Sequence, residues 1–409
     1  MTVASIRPLR VRALTSSIWP SAHAAGRVWP GPRTPTQVRR KSGPYGYTQA
    51  KSLVFSEHGE PKDVLKLHTH SISPELPSES VFLRTLAAPI NPADVNLIQG
   101  TYGVKPTFSS LIGTASPSAI PGNEGVFEVV ATSVPDRFAR GDWVIPARTG
   151  FGTWRTHAVA SADDVMPIRK DGLTLLQAAT VSVNPCSAYR MLRDFVTDPP
   201  LREGDWFAQN GANSGVGRAA IQLGALWGYR SVNVIRARAS PAATKALKDE
   251  LTALGATLVV TEEEFEARTF RKELAGRTRG SREAVRLGLN CVGGPSARTL
   301  ARSLGTGATL VTYGGMSREP LTLPVGSLIF HDLRVVGFWL SRWADRDPAA
   351  RRRTVDEILD LARAGRFHFA PAEKIPWSWD TALESLTAAV QGTLEGYRAG
   401  KGLFIFGDT

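Results

Sequence analysis

No aspartate or glutamate precedes Glu57. Before it stand Arg7, Arg10, Arg12, Arg27, Arg33, Arg39, Arg40, Lys41 and Lys51, with Ser, Thr and Ala filling much of the space between. An acid-free, arginine-rich beginning is the composition of a mitochondrial transit peptide, because a cationic amphipathic segment is drawn towards the negative matrix side. A plain basic tail has the same composition. Cleavage beside Arg40 and Lys41 removes eight positive charges, taking the formal charge from +12 to +4. The strongly basic balance therefore gives no reason to expect nucleic acid as a partner. Cysteine is also scarce. Cys186 and Cys291 are the two present, too few for a four-thiolate zinc site, and they read as small buried hydrophobes. The seven histidines are scattered, and His68-x-His70 has no cysteine or carboxylate cluster at ligand spacing, so no metal is expected. There is no Gly-x-Ser-x-Gly elbow. No apolar run reaches the roughly 20 residues of a membrane-spanning helix.

What is present is enough sequence for two well-filled cores in 409 residues. Residues 1–45 are rich in Pro, Gly, Ser and Arg and lie outside the expected fold. Strand-like runs at 47–55, 80–88, 125–131 and 143–147, punctuated by Pro and Gly, predict a β-rich, barrel-like unit over 46–180. Helical runs at 173–179 and 185–195 follow. Apolar strands then alternate with helices, the strands at 205–209, 231–235, 256–261, 285–290, 308–313 and 333–339. That alternation predicts an α/β, Rossmann-type, doubly wound parallel sheet over 181–340. Residues 341–409 add two helices and a last strand at 402–406. A charged stretch at 262–282 reads as a surface elaboration.

The strongest local signal is Gly211-Ala-Asn213-Ser214-Gly215-Val216-Gly217, at a strand-to-helix junction. In this reading Gly211 permits a tight turn, Gly215 lets backbone N–H groups approach a pyrophosphate, and Gly217 lets helix pack on strand. Asn213 and Ser214 add side-chain donors. An NAD site carries an acid about twenty residues further on. Here that place holds Arg236 and Arg238. Guanidinium groups bind a 2′-phosphate that a carboxylate repels, which points to NADPH. Two solvated surface arginines are the plainer alternative.

Two more glycine turns, Cys291-Val-Gly293-Gly294 and Tyr313-Gly314-Gly315-Met316, fall at strand ends, where open α/β sheets bind ligands. For Gly293 and Gly294, ordinary turn chemistry is the favoured reading. In the first half, Asn91-Pro-Ala-Asp94 leads through a short helix to Tyr102, which on residue type alone is either a proton donor or a packing tyrosine.

These runs resemble the medium-chain dehydrogenase/reductase superfamily, and within it the mitochondrial trans-2-enoyl-thioester reductases, over nearly everything beyond residue 47. The resemblance implies a GroES-like substrate domain completed by the C-terminal segment. It places Tyr102 on the family's proton donor and Asn184 on a cofactor contact. It also implies that Asn213 to Val216 hold pyrophosphate and that Arg236 and Arg238 hold the 2′-phosphate. Tyr313 to Met316, and Phe338, Trp339, Leu340 and Ser341, fall on segments near nicotinamide, and Lys401 on a lysine that reaches the cofactor. Asn91 and Trp339 are candidates for shaping the substrate pocket. The family's zinc-dependent members carry Pro-Gly-His-Glu where this chain has Pro121-Gly-Asn123-Glu124. Expected from the resemblance are NADPH-dependent reduction of enoyl thioesters on acyl-carrier protein or coenzyme A, the mitochondrial matrix, and a homodimer. A zinc-independent quinone reductase and a non-catalytic NADPH-binding scaffold are the rival readings.

Overall fold

A computed structural model describes residues 46–278, 285–395 and 400–407. The expected transit peptide, at 1–45, lies outside the described residues, as does the end of the charged stretch. The first half contributes β1 (Thr48–Val54), α1 (Pro61–Val64), β2 (Lys66–Ile72), β3 (Ser80–Pro89), α2 (Pro92–Ile98), β4 (Val126–Thr132), β5 (Trp143–Pro146), β6 (His157–Ser161) and β7 (Val165–Ile168). Strands β1 and β2 pair as an antiparallel ribbon. The others build a larger sheet around β3, whose Val81 and Leu83 are fully buried with Phe127, Val129 and Val144.

After α3 (Leu175–Thr180) and α4 (Asn184–Asp194) comes the alternating half: β8 (Trp206–Gln209), α5 (Gly215–Leu226), β9 (Arg230–Ile235), α6 (Pro241–Ala253), β10 (Leu258–Thr261), α7 (Glu262–Glu266), α8 (Arg268–Arg277), β11 (Val285–Asn290), α9 (Gly294–Ser303), β12 (Thr309–Thr312), α10 (Val325–Ile329) and β13 (Arg334–Gly337). Its six strands are all parallel, in the order β10-β9-β8-β11-β12-β13. That is the doubly wound order, with its switch point between β8 and β11. Strand alternation explains the two covered faces. Trp206 and Ala208 point to one side, against Val232, Val234 and Leu300. Phe207 points to the other, against Ala219 and Leu223 of α5. Helix α5 lies close enough that a Cβ on Gly224 would sit 2.6 Å from Phe207.

The charged stretch is more than surface. Phe265, Phe270 and Leu274 are buried beside Trp206 and Val285, and the two phenyl rings lie 5.5 Å apart. Three apolar residues among many charges look polar in a linear reading, but α7 and α8 turn all three inwards.

The last part holds α11 (Leu340–Arg346), α12 (Pro348–Arg363), β14 (Ala372–Trp377), α13 (Leu383–Glu395) and β15 (Lys401–Phe406). Strand β15 enters the first sheet between β14, to which it is parallel, and β3, to which it is antiparallel. This sets Lys401 close to the start of α2: Ile90 N–H donates to Gly402 O at 2.9 Å.

Candidate active site

The glycine-rich loop leaves β8 at the switch point and enters α5. Gly211 has φ +59, where a side chain would be strained, and a Cβ there would lie 2.6 Å from Cys291 Sγ. Gly217 acts differently from the sequence expectation. A Cβ on Gly217 would meet the Ala212 carbonyl oxygen at 2.5 Å, so this glycine closes the loop on itself rather than seating helix on strand. A Cβ on Gly215 would meet Asn184 Nδ2 at 2.4 Å, so the loop packs against the first residue of α4. Asn184 is thereby placed beside the loop. Ser214 Oγ is already used as the cap of α5, accepting from Gly217 N–H at 3.1 Å. The amides of Gly215 and Val216 have no protein acceptor among the described residues. Two N–H groups at a helix start, with the positive end of its dipole, suit a pyrophosphate.

A cleft of about 760 Å³ opens beside this loop. Asn213, Ser214, Gly215, Arg238 and Lys401 all line it, with Pro92 from α2. Arg238 is held by its own backbone, whose N–H donates to Thr244 Oγ1 at 2.8 Å. Arg236 is exposed and is not among the lining residues, so one of the two expected guanidinium groups faces the cleft. Sequence reasoning passed over Arg218. It also lines the cleft, but its side chain is engaged by Glu250 (2.7 Å) and the Asn213 carbonyl (3.1 Å). The amides, the glycine cradle and Arg238 together fit a dinucleotide carrying an extra phosphate.

Tyr102 follows α2, its N–H bonded to Asn96 O at 3.1 Å. Trp339 follows β13 in the other sheet. The two side chains meet: Trp339 Nε1 donates to Tyr102 Oη at 3.1 Å, with the rings edge to face at 6.1 Å. Arg342 lies over the same indole, 5.2 Å from its centroid. Phe338 packs edge-on to Phe195 at 5.6 Å. Tyr313 and Leu340 pack on the large shared core, Ser341 is half-buried, and Met316 is 60% exposed. The Tyr313 phenol is held protonated, pushed well above its usual pKa by burial and then by Cys291. Gly314 lies against Cys291, while a Cβ on Gly315 would meet open space. None of the residues from Tyr313 to Met316 or Phe338 to Ser341 lines the cleft that holds Lys401.

Beneath the cleft lies a buried polar network that motif reading did not find. Lys401 Nζ donates to Asn91 Oδ1 at 2.5 Å, and Asn91 Nδ2 donates to Glu124 Oε2 at 3.1 Å. Glu124 Oε1 accepts from Val183 N–H at 2.8 Å and Ser182 Oγ at 3.3 Å. Asp94 accepts from Asn91 N–H at 2.8 Å and from Asn123, N–H at 3.0 Å and Nδ2 at 2.7 Å. Burial raises the Asp94 carboxyl to about 6 against the pull of these donors. It raises Glu124 as well, with Lys401 opposing. The Lys401 ammonium is lowered by loss of solvent, with Glu124 opposing. Asn91 is thus buried and bonded on both sides, to Lys401 and to Glu124. The one sequence signal for Glu124 was its place in Pro121-Gly-Asn123-Glu124, read there for the histidine it lacks.

Among the described residues no group of three or more His, Cys, Asp or Glu is placed to hold a metal. Cys186 and Cys291 are both free and buried. The amide at Asn123, where zinc-dependent relatives have histidine, is spent on Asp94 and on Gly150 N–H.

Residues 215–358 match the family model described as zinc-binding dehydrogenase. The mitochondrial enoyl-[acyl-carrier-protein] reductase of Yarrowia lipolytica is 46% identical over 321 residues, covering 78% of this chain and 82% of that protein. A solved complex of Etr1p with NADP and crotonyl-CoA superposes with a TM-score of 0.81 at 35% identity, covering 87% of this chain and 99% of that one. The Etr1p/Etr2p heterodimer of the mitochondrial 2-enoyl thioester reductase from Candida tropicalis matches with the same TM-score of 0.81, identity of 35% and coverage of 87% and 99%. With its parallel six-stranded sheet, its glycine loop at the switch point and a tyrosine brought to it from the other sheet, the chain belongs to the mitochondrial enoyl-[acyl-carrier-protein] reductase family of the medium-chain dehydrogenase/reductases.

Proposed function

We propose that the chain reduces trans-2-enoyl thioesters to saturated acyl thioesters with NADPH, on acyl-carrier protein or coenzyme A, in the mitochondrial matrix. The observation that carries this reading is the Trp339–Tyr102 hydrogen bond, which brings a phenol from one sheet to the nucleotide-binding sheet. We read 46–180 as the substrate domain, 181–340 as the NADPH domain and 341–409 as the segment returning to the first.

In this reading the amides of Gly215 and Val216 hold the pyrophosphate, beside Asn184. Arg238 takes the 2′-phosphate, with Arg236 outside the cleft. Tyr313 to Met316 and Phe338 to Ser341 border the reactive end. When bound, NADPH supplies a hydride for the β-carbon of the unsaturated thioester. Charge then gathers on the thioester oxygen, and Tyr102 delivers a proton to the α-carbon. The Trp339 N–H, aimed at the phenol oxygen, steadies the charge left there as the proton departs. Nothing in this scheme requires a metal.

The test is NADPH oxidation measured over enoyl thioesters of increasing length, with NADH and a quinone as controls. Tyr102→Phe is expected to cut turnover by about 10²–10⁴-fold, the usual worth of a general acid, with NADPH affinity nearly unchanged. A variant that keeps full turnover, or a wild type that prefers the quinone, rejects the assignment.

We also propose a homodimer through the edge strand β13. Helix α10 and its neighbour expose Val325 (67%), Ile329 (66%) and Phe330 (78%), and Val335 of the strand is 36% exposed. An apolar patch beside an unpaired strand edge is a surface that a second copy covers. Phe330→Asp is expected to shift the mass in light scattering from two chains to one; an unchanged mass refutes this contact.

A further inference from the structure

Glu124 bonds two segments directly, Ser182–Val183 and Asn91, and reaches a third, at Lys401, through Asn91. Each oxygen has its own task. Oε1 accepts from Val183 N–H, immediately before the helix whose Asn184 lies against Gly215. Oε2 accepts from Asn91 Nδ2, and the other end of that amide receives the Lys401 ammonium. The chain of bonds has a fixed direction. An ammonium only donates and a carboxylate only accepts, so the Asn91 amide has one orientation that satisfies both. With a carboxamide in place of the carboxylate, the amide nitrogen would have to face either Val183 N–H or Asn91 Nδ2. Turning Asn91 over to suit it would set Nδ2 against the ammonium. One donor pair is left facing donor whichever way the groups turn.

From this we infer that Glu124 is a positioning residue: through Asn91 it fixes the Lys401 ammonium in the cleft and, through Val183, sets Asn184 in register with it. Lys401 arrives on β15, Asn184 on α4 and Asn91 just before α2. These segments have no covalent reason to stay aligned, and the buried carboxylate, 1% exposed, is where they are tied together. The burial of Glu124 is offset by three hydrogen-bonding partners, Asn91, Val183 and Ser182, rather than by one ion pair, which suits alignment better than raw stability. The inference rests on the reading of the cleft as the NADPH site.

A double-mutant cycle tests it. NADPH affinity of the full chain is measured by calorimetry, and turnover with crotonyl-CoA, for wild type, Glu124→Gln, Lys401→Met and the double variant. Each single change is expected to raise the NADPH Kd about tenfold, and the double variant to lose clearly less than the product of the two, as residues in one hydrogen-bonded chain are coupled. Multiplying losses, or a Glu124→Gln variant with wild-type affinity, would overturn the inference. Should Glu124→Gln fail to fold, Asn91→Ala takes its place in the cycle. It cuts the relay while leaving the Glu124–Val183 bond, and the same coupling to Lys401 is expected. A wild-type chain with no affinity for NADPH refutes the proposed function; a wild type that binds it with an additive cycle refutes only the bridge.

Discussion

In the proposed function, the choice of dinucleotide rests on one side chain, Arg238, which lines the cleft. The neighbouring Arg236 shares its charge but is exposed outside the cleft lining. A hydrogen bond to a charged group contributes about 1.5–3 kcal/mol. Arg238→Ala is therefore expected to weaken NADPH by about 10- to 150-fold while leaving NADH binding nearly as it is. Arg236→Ala should change the ratio far less. Titration of both variants with both dinucleotides checks this, and an equal loss from the two arginines contradicts the unequal roles. The sequence pair could be read for its charge, but not for which member faces inwards. That depends on the path of the chain after β9, where the Arg238 N–H is tied to Thr244.

On the scale of elements, the fit of loop to helix is the most exacting feature. Gly217→Ala places a methyl group 2.5 Å from the Ala212 carbonyl oxygen, a backbone atom that cannot swing aside. Such overpacking costs about 1–3 kcal/mol, and the loop that shifts is the one with the free amides. A lowered melting temperature together with weaker NADPH binding is expected. Gly276 in α8 is the control. It is exposed, and a Cβ there meets nothing within 4 Å. Gly276→Ala should stabilise by about 0.5–1 kcal/mol through helix propensity and leave binding unchanged. Matching melting shifts in the two variants would contradict this view of the loop. The same contrast shows what is legible in sequence. Spacing of Gly211, Gly215 and Gly217 after an apolar strand marks a phosphate loop, since the local chain conformation demands those residues. The parallel sheet was equally visible in its alternating apolar runs. Glu124 and the meeting of Tyr102 with Trp339 were not, because their partners stand tens to hundreds of positions away and no local period announces them. The buried side of α7 and α8 was hidden for a related reason: three apolar residues spread over a charged run form a face only once coiled.

For the whole molecule, buried Asp94 and half-buried His70 pull the pH dependence of stability in opposite directions. Asp94 ionises near 6 when folded against 3.8 unfolded, so the native state holds an extra proton between these values. Its contribution is greatest below 3.8 and is lost as pH rises through 6. His70, lowered by burial and then by His68 and Arg155, titrates near 4 when folded against 6.5 unfolded. Its contribution is present above 6.5 and is lost as pH falls towards 4. The windows overlap, and the opposing slopes flatten the wild-type profile. His70→Phe removes the acid-side loss, so the melting-temperature gap between variant and wild type should widen in the variant's favour as pH falls from 6.5 to 4. A constant gap across that range refutes the shift. The position of β15 has a consequence for biosynthesis. A sheet begun at Ser80 waits for Lys401–Phe406 to slot between β14 and β3. Until those six residues leave the ribosome, the Ala87–Pro89 end of β3 lacks its β15 partner and β14 has no strand neighbour. The first sheet therefore stays open until β15 is made, whereas the parallel sheet, whose last strand ends at Gly337, has all its own strands before then.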